Sequence, residues 1–332
     1  MTNRFVVDAM MITDFKVLVT SRSFGREFKE PSKILEESGC KVKFATNFER
    51  PLTEEELLDL IVDVDGIIVG ADKITRSVIN KSNKLKVISK HGVGVDNIDL
   101  EAASKKGIVV TYVPDANYNA VADLTFGLML AVARLICEAD KTVRRGQWNK
   151  FIGTELWEKT LGVVGVGRIG KAVIRRARGF DMKVLAYDLL EDDASAREYK
   201  FDYAPLEDVL KMSDFVTMHV PLTEKTKGMI GEKELRMMKK TAYLINASRG
   251  EVVDEYALFR ALSEKWIAGA ALDVFKNEPP GDSPLLKLKN VVLTPHIGAY
   301  SYEAIKKMDI TSAVNLLNVL KGEKPLYQIN WP

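Results

Sequence analysis

The sequence predicts an α/β fold of two domains, each built around a parallel β-sheet with helices on its faces. Short β-branched runs alternate with longer helical patterns along most of the chain, which is typical of parallel sheets. At 332 residues, the chain is longer than most single domains. The alternation is interrupted once, by a long helical pattern from about Asn119 to Arg145, and then resumes. We therefore expect two separate sheets.

The first series of alternating segments extends from residue 16 to residue 111. Helical segments are predicted at residues 32–38 and 54–61, with a helical turn after Asp99. Acidic residues early in segment 54–61 favour a helix start there, because they complement the positive end of the helix dipole. The predicted strands cover residues 16–20, 41–44, 66–69, 87–89 and 108–111.

The second series begins at Thr160 and closes with a predicted helix over residues 301–320. No Ser/Gly-rich linker separates the two series, so we expect two short crossings between domains, near residues 112–117 and 297–300. The predicted outer domain is residues 1–111 with 300–332, and residues 112–299 form a domain inserted into it. The predicted strands of this series cover residues 161–166, 183–187, 215–219, 242–246, 268–272 and 291–294.

Composition excludes several function classes. The formal net charge is +2, and Lys and Arg are spread along the chain, whereas nucleic-acid binding needs a basic patch. No apolar run has the length of a membrane span. Residues 1–11 lack the pattern of a secretory signal. They are either a disordered tail or the result of a translation start upstream of Met10 or Met11. Cys40 and Cys137 are too few for a disulfide framework or a zinc site, and Cys137 is expected in the core. We expect a cytoplasmic protein that binds neither nucleic acid nor membrane.

A glycine-rich motif follows the first strand of the second series. Residues 165–170 read Gly-Val-Gly-Arg-Ile-Gly, at the start of a predicted helix. Gly165 allows a tight turn, Gly167 lets the backbone approach a pyrophosphate, and Gly170 lets the helix pack closely on the strand. The free N–H groups of the helix N-terminus would hold that pyrophosphate. The alternative is a glycine-rich turn without a ligand.

An acidic residue after the next strand supports the dinucleotide interpretation over an ordinary turn. Asp188 lies close to the offset of about 20 residues expected for the acid that binds a ribose. Its charge would repel a 2′-phosphate, and Leu189 and Leu190 follow it where an arginine would favour NADP. We therefore expect NAD as the cofactor and a Rossmann-like inserted domain.

Four further segments resemble those of a known family. They are residues 91–99 (His-Gly-Val-Gly-Val-Asp-Asn-Ile-Asp), 246–250 (Asn-Ala-Ser-Arg-Gly), 271–279 (Ala-Leu-Asp-Val-Phe-Lys-Asn-Glu-Pro) and 294–299 (Thr-Pro-His-Ile-Gly-Ala). With the glycine motif, their order resembles the D-isomer-specific 2-hydroxyacid dehydrogenase family over nearly all of residues 16–327, and its phosphoglycerate dehydrogenase branch most. The resemblance implies two Rossmann-like domains, with the NAD-binding domain inserted into the substrate domain. It also implies an active site in the cleft between the domains, and a homodimer.

The resemblance assigns roles to individual residues. It implies that Arg249, Glu278 and His296 are catalytic. Lys90, Val93 and Gly94 match substrate-binding positions, together with Arg249. The positions that match the family's NAD contacts are Gly165, Gly167, Arg168, Ile169, Gly170, Asp188, Val220, Ala247, Ser248, Asp273, Gly298 and Ala299. No metal is expected.

The chemistry of oxidising an alcohol at C2 supports the catalytic roles. An imidazole suits the transfer of the hydroxyl proton, because its ordinary pKa is near neutrality. Glu278 would fix the ring of His296 and stabilise its charged form, and Arg249 would pair with the substrate carboxylate through its fork of donors. Without the rest of the pattern, Arg249 would be predicted to form a surface ion pair and Glu278 to lie in a turn. His219 is expected to be structural or near the adenosine, and His91 either contacts the substrate or caps the loop that follows it.

The resemblance makes 3-phosphoglycerate the first expected substrate, with hydroxypyruvate or glyoxylate as the alternative. Where relatives that bind phosphoglycerate often carry arginine, this chain has Lys90 and Lys73, which are point charges without the bidentate geometry of a guanidinium. The chain ends near its last predicted helix, so the C-terminal regulatory domain of longer relatives is expected to be absent. A non-enzymatic, NAD-sensing corepressor is a further alternative.

Overall fold

The computed structural model describes residues 14–45 and 50–329, which fall into two compact units. Unit 1 combines the described residues up to Asn117 with those from Ser301 onward, and unit 2 is Tyr118–Tyr300. Residues 1–11, which the sequence analysis expected to be a tail or an upstream start, lie outside the described residues.

Residues 112–117 cluster with unit 1, although the sequence analysis assigned them to the inserted domain. Two side chains from the last helix hold this segment. Asn315 Nδ2 donates to the carbonyl of Tyr112 at 3.2 Å, and Lys307 Nζ donates to the carbonyl of Asp115 at 2.8 Å. The unit boundary therefore lies between residues 117 and 118, where the next helix begins, and not between 111 and 112.

Within its described residues, unit 1 contains a five-stranded parallel sheet in the order β2-β1-β3-β4-β5. The direction of winding reverses between β1 and β3, and in such sheets ligands bind beyond the carboxyl ends of the strands at this point. The strands are β1 (Lys16–Val19), β2 (Lys41–Phe44), β3 (Gly66–Val69), β4 (Val87–Lys90) and β5 (Val109–Thr111). The helices are α1 (Glu30–Glu37), α2 (Glu54–Leu60), α3 (Arg76–Lys81), α4 (Leu100–Lys105) and, from the end of the chain, α12 (Tyr302–Leu320).

Local chemistry explains where these elements lie. All four residues of β3 are buried, as expected for a strand that is paired on both edges and covered on both faces. Helix α2 begins at Thr53, whose side chain accepts from the N–H of Glu56 while the Glu56 carboxylate accepts from the N–H of Thr53. This reciprocal capping satisfies two donors that the helix itself leaves unpaired.

Unit 2 contains a seven-stranded parallel sheet in the order β12-β11-β10-β9-β6-β7-β8 within the described residues. Its winding direction reverses between β6 and β9. The strands are β6 (Thr160–Val164), β7 (Lys183–Tyr187), β8 (Asp202–Tyr203), β9 (Phe215–Met218), β10 (Tyr243–Asn246), β11 (Gly269–Leu272) and β12 (Val291–Leu293). The helices are α5 (Tyr118–Ala133), α6 (Ile136–Arg144), α7 (Arg168–Ala177), α8 (Asp193–Tyr199), α9 (Leu206–Met212), α10 (Glu232–Met237) and α11 (Glu255–Ser263).

The long helix predicted over residues 119–145 is two helices, α5 and α6, with an angle of 65° between them. Leu135 has a left-handed conformation (φ 55°) that ends the first helix. The N–H of Thr154 donates to the carbonyl of Ala133 at 2.8 Å, so a later segment satisfies the exposed helix end. On α6 the side chain of Cys137 is exposed, and its predicted place in the core is wrong.

Among the described residues, no single helix has the length and apolar character needed to cross a membrane. Helices α5 and α6 pass that criterion only when they are taken together, across their bend.

The core of unit 2 includes a fully buried aromatic residue in the middle of the sheet. Phe215 is 0% exposed, and its ring stacks on Tyr243 with centroids 5.1 Å apart and planes at 13°. Both strands pair in parallel register, so the two rings lie side by side on one face. Packing of this kind contributes beyond simple burial of area.

We predict that Phe215→Ala lowers the free energy of unfolding by about 3–5 kcal/mol, because it removes a buried ring and leaves a cavity. The measurement is urea unfolding followed by circular dichroism. The control is Met212→Ala, at a side chain that is 55% exposed, with an expected change within about 0.5 kcal/mol. Equal stability of the two variants would contradict this account of the core.

Candidate active site

Two glycines of the 165–170 motif are required by close contacts. Gly165 has φ 97°, and a Cβ there would lie 2.7 Å from the carbonyl carbon of His219. A Cβ at Gly170 would overlap the carbonyl oxygen of Gly165. Because backbone atoms cannot move aside as side chains can, the turn from β6 into α7 excludes any larger residue at both positions.

The middle glycine of the motif borders open space. Gly167 is the N-cap of α7, and a Cβ there would meet nothing within 4 Å among the described residues. No side chain caps the helix, and its first turn, which includes Arg168 and Ile169, carries no acidic residue. The uncapped N–H groups and the partial positive charge of the helix end suit an anion. The residues therefore fit the pyrophosphate of a dinucleotide.

The Asp188 carboxylate is fixed beside this turn. One oxygen accepts from the N–H of Val166 at 2.7 Å, and the other accepts from the N–H of Leu190 at 3.1 Å. Each oxygen retains acceptor capacity for a ribose hydroxyl. The structure thus brings the predicted ribose-binding acid and the glycine motif together, as NAD binding requires.

The other predicted cofactor positions follow the carboxyl ends of four more strands of the same sheet. His219, which precedes one of them, is partly buried, and its Nε2 lies 2.9 Å from Thr217 Oγ1. Burial lowers the pKa of His219 to about 3, so its ring is neutral, and the backbone of His219 lies directly against the glycine turn at Gly165. The positions are Val220 after β9, Ala247 and Ser248 after β10, Asp273 after β11, and Gly298 and Ala299 after β12.

Two of the three predicted catalytic residues form a direct pair. His296 Nδ1 lies 2.7 Å from Glu278 Oε2, and the other oxygen of Glu278 accepts from the N–H of Phe275 at 3.1 Å. Burial raises the pKa of Glu278, but the hydrogen bond and charge of His296, the Phe275 N–H and the charge of Arg249 together outweigh it and hold the pKa below its usual value. Glu278 is therefore a carboxylate that accepts a hydrogen bond from Nδ1–H of His296, and Nε2 of His296 is left for proton transfer.

Asp273 holds the segment that carries His296. Its Oδ1 accepts from Thr294 Oγ1 at 2.6 Å and from the N–H of Ile297 at 2.8 Å, and its Oδ2 accepts from the N–H of Gly298 at 2.8 Å. Burial raises the pKa of Asp273, and these three donors oppose that effect. The sequence analysis did not identify Thr294 as a site residue. The sequence feature that could have identified Thr294 is its position in the Thr-Pro-His segment.

The third predicted catalytic residue, Arg249, projects from a turn that is fixed by Asn246. The Asn246 side chain donates to the carbonyl of Arg249 at 2.8 Å and accepts from the N–H and hydroxyl of Ser248 at 3.0 and 2.8 Å. A Cβ at Gly250 would overlap the backbone at Phe275, so this turn lies directly against the loop that bears Glu278. The charge of Arg249 also lowers the pKa of Glu278.

The predicted substrate residues lie in unit 1, after β4. Lys90 Nζ donates to the carbonyl of Gly70 at 2.6 Å and to Asn97 Oδ1 at 2.9 Å, so its ammonium ties two loops of its own unit together. The N–H groups of Val93 and Gly94 have no backbone acceptor among the described residues. They are therefore available to an anionic ligand such as a carboxylate.

Comparisons with known proteins agree with this arrangement. The sequence profile of the D-isomer specific 2-hydroxyacid dehydrogenase, NAD binding domain, matches residues 126–298. A Methanocaldococcus jannaschii protein named D-3-phosphoglycerate dehydrogenase is 46% identical over 321 residues, covering 96% of this chain; the chain spans only 60% of that relative's length. A Thermococcus litoralis protein named glyoxylate reductase is 48% identical over 284 residues, covering 82% of this chain and 86% of the relative.

A solved structure supports the same assignment. The TT0316 protein of Thermus thermophilus superposes with a TM-score of 0.87 at 37% identity, covering 95% of this chain and all of that one (100%). With the glycine turn, Asp188 and the His296–Glu278 pair in place, the chain belongs to the D-isomer-specific 2-hydroxyacid dehydrogenase family and carries its NAD-binding domain.

Proposed function

We propose that this protein is an NAD-dependent dehydrogenase that interconverts a small 2-hydroxy acid and its 2-oxo acid. The observation that carries the proposal is the His296–Glu278 pair, in which the carboxylate engages Nδ1 at 2.7 Å and its other oxygen is held by the backbone. An imidazole fixed in this way exchanges a proton through one known nitrogen.

NAD would be held by the glycine turn and Asp188, and it would supply the hydride chemistry at C2. During reduction the C2 oxygen gains negative charge and takes the proton that His296 Nε2 carries. Glu278 stabilises the charged ring before that transfer. Arg249 pairs with the substrate carboxylate and stabilises the charge that develops on the oxygen. The N–H groups of Val93 and Gly94 bind the carboxylate as well. In the oxidative direction His296 accepts the hydroxyl proton.

We predict that His296→Ala lowers kcat/KM by about 10³-fold or more, because general acid–base catalysis is lost. Glu278→Gln retains the shape of the side chain but not its charge, and a loss of about 10²-fold is expected. The measurements are steady-state NADH oxidation and, separately, NADH binding by fluorescence, which both variants should retain. Glu264→Gln, at an exposed glutamate of unit 2, is the matched control. Full turnover by His296→Ala would refute the assignment.

For the substrate, we propose an unphosphorylated 2-oxo acid such as glyoxylate or hydroxypyruvate. The residue expected to contact a phosphate, Lys90, directs its ammonium to Gly70 and Asn97, and a phosphate would have to compete with both bonds. The close similarity to a protein named glyoxylate reductase supports the same substrate class.

One observation favours 3-phosphoglycerate as a second candidate. Arg22 follows β1, is half-buried, and has no hydrogen-bond or ion-pair partner among the described residues. A guanidinium binds phosphate bidentately and supplies the charge that Lys90 does not offer. The sequence analysis missed Arg22, because a single arginine after a strand has no distinctive pattern. The relative named D-3-phosphoglycerate dehydrogenase supports this candidate.

We predict that kcat/KM for glyoxylate or hydroxypyruvate exceeds that for phosphohydroxypyruvate by about tenfold or more, and that Arg22→Gln leaves this order unchanged. The assay is NADH oxidation with each acid at saturating cofactor. A preference for the phosphorylated acid that is lost in Arg22→Gln would establish the second candidate. Turnover of none of the acids would favour the corepressor alternative.

We also propose that the protein is a homodimer through unit 2. Large apolar side chains are exposed on α6 and in the segment after it: Ile136 (51%), Val143 (54%), Trp148 (81%) and Ile152 (98%). Monomeric proteins rarely leave such a set in water, and a second copy would cover it.

We expect light scattering to give twice the chain mass of 37.1 kDa over a range of dilutions. Ile152→Asp should shift the mass toward the monomer, because a charge would be buried in the interface. Leu286→Asp, at an exposed apolar residue (46%) elsewhere in unit 2, should not. Monomer mass for the unchanged protein at all concentrations would exclude the dimer.

A further inference from the structure

A buried hydrogen bond between a histidine and an aspartate in unit 1 has no part in the mechanism described above. His91 Nε2 lies 2.6 Å from Asp309 Oδ1, and the two side chains are 3% and 0% exposed. Burying two ionisable groups is costly, and apolar side chains of similar volume often stabilise a core equally well. A pair retained at this cost therefore calls for a role beyond filling space.

The Asp309 carboxylate contacts two loops at once. His91 begins the loop that follows β4 (residues 91–99, the β4 loop), which contains Val93 and Gly94. The second oxygen, Oδ2, accepts from the N–H of Gly25 at 3.0 Å, in the loop that follows β1 (residues 20–29, the β1 loop). Asp309 itself lies on α12, which packs against β3, β4 and β5. One side chain thus joins both loops to a helix.

Other contacts of His91 reinforce this connection. Its N–H donates to the carbonyl of Val69 at 2.9 Å, so its backbone continues the pairing of β4 with β3. The ring of Phe24, from the β1 loop, meets the His91 ring edge-on at 6.0 Å and 83°. The imidazole therefore contacts both an aromatic ring and a carboxylate, two residues before Val93.

We infer that Asp309 and His91 are positioning residues, which fix the β4 loop against the β1 loop so that the Val93 and Gly94 N–H groups are presented to the substrate carboxylate. This inference rests on the proposed function. Both loops follow the carboxyl ends of their strands, the side of a parallel sheet where ligands bind. Two directed hydrogen bonds to one carboxylate define the spacing of the loops more sharply than apolar packing does.

The first test measures KM and kcat for the 2-oxo acid in Asp309→Asn and His91→Ala. We expect KM to rise about tenfold, the effect of losing a hydrogen bond to a charged group, while NADH affinity stays unchanged. His91→Gln retains a side-chain N–H donor and should recover part of the loss. The control is Leu316→Ala, at a fully buried residue of the same helix (0%) that packs near Gly66 of β3, and this change destabilises unit 1 without removing either hydrogen bond of Asp309. An equal rise of KM in Leu316→Ala, or no rise in Asp309→Asn, would overturn the inference.

The second test does not depend on turnover. Hydrogen–deuterium exchange is compared between the unchanged protein, Asp309→Ala and Leu316→Ala, in peptides that cover the β1 loop and the β4 loop. We expect faster exchange in both loops in Asp309→Ala alone. Unchanged exchange in these loops would overturn the inference even if the enzyme is active. Faster exchange in a protein that reduces no 2-oxo acid would leave the loop connection standing and refute the proposed function.

Discussion

The carboxylate of Asp273 is the constraint on which the geometry of the site depends. It receives three hydrogen bonds from residues 294–298, and its own carbonyl accepts the N–H of His296 at 2.8 Å. These bonds hold His296 at φ 53°, a conformation that residues other than glycine rarely adopt. The direction of the imidazole is therefore determined by a neighbouring acid rather than by its own backbone preference.

The two acids of the site act differently because their partners differ. Glu278 faces a titratable ring and the charge of Arg249, and these keep it ionised despite its burial. Asp273 is bonded to a hydroxyl and two amides, which offset its burial only in part. Glu278 therefore takes part in charge stabilisation, whereas Asp273 holds the segment that carries His296. The sequence analysis classed Asp273 as a cofactor contact; the hydrogen bonds show which atoms of the chain it engages.

Local patterns predicted much of the fold. Strands 66–69 and 183–187 have the predicted limits because each is a largely apolar run, and strand 41–44 has them because it alternates lysine with apolar residues. The pattern did not predict β8, since Asp202 and Tyr203 form no apolar run, or the break at Leu135, which depends on a segment about twenty residues later. For the site, motif order identified Glu278 and His296. The pairing of His91 with Asp309, 218 positions apart, and the internal bonds of Lys90 depend on tertiary contacts that no local pattern records.

The insertion of unit 2 into unit 1 has a consequence for the order of folding during synthesis. Unit 2 is one uninterrupted stretch and can fold as soon as Tyr300 has left the ribosome. Unit 1 lacks α12 until then, so the faces of β3 and β4 that this helix covers stay open while the whole inserted unit is made. His91 has no Asp309 to bond with until α12 has been synthesised. The earliest strands of the chain are thus the last to be completed, and they are the ones most exposed to wrong partners and to chaperones.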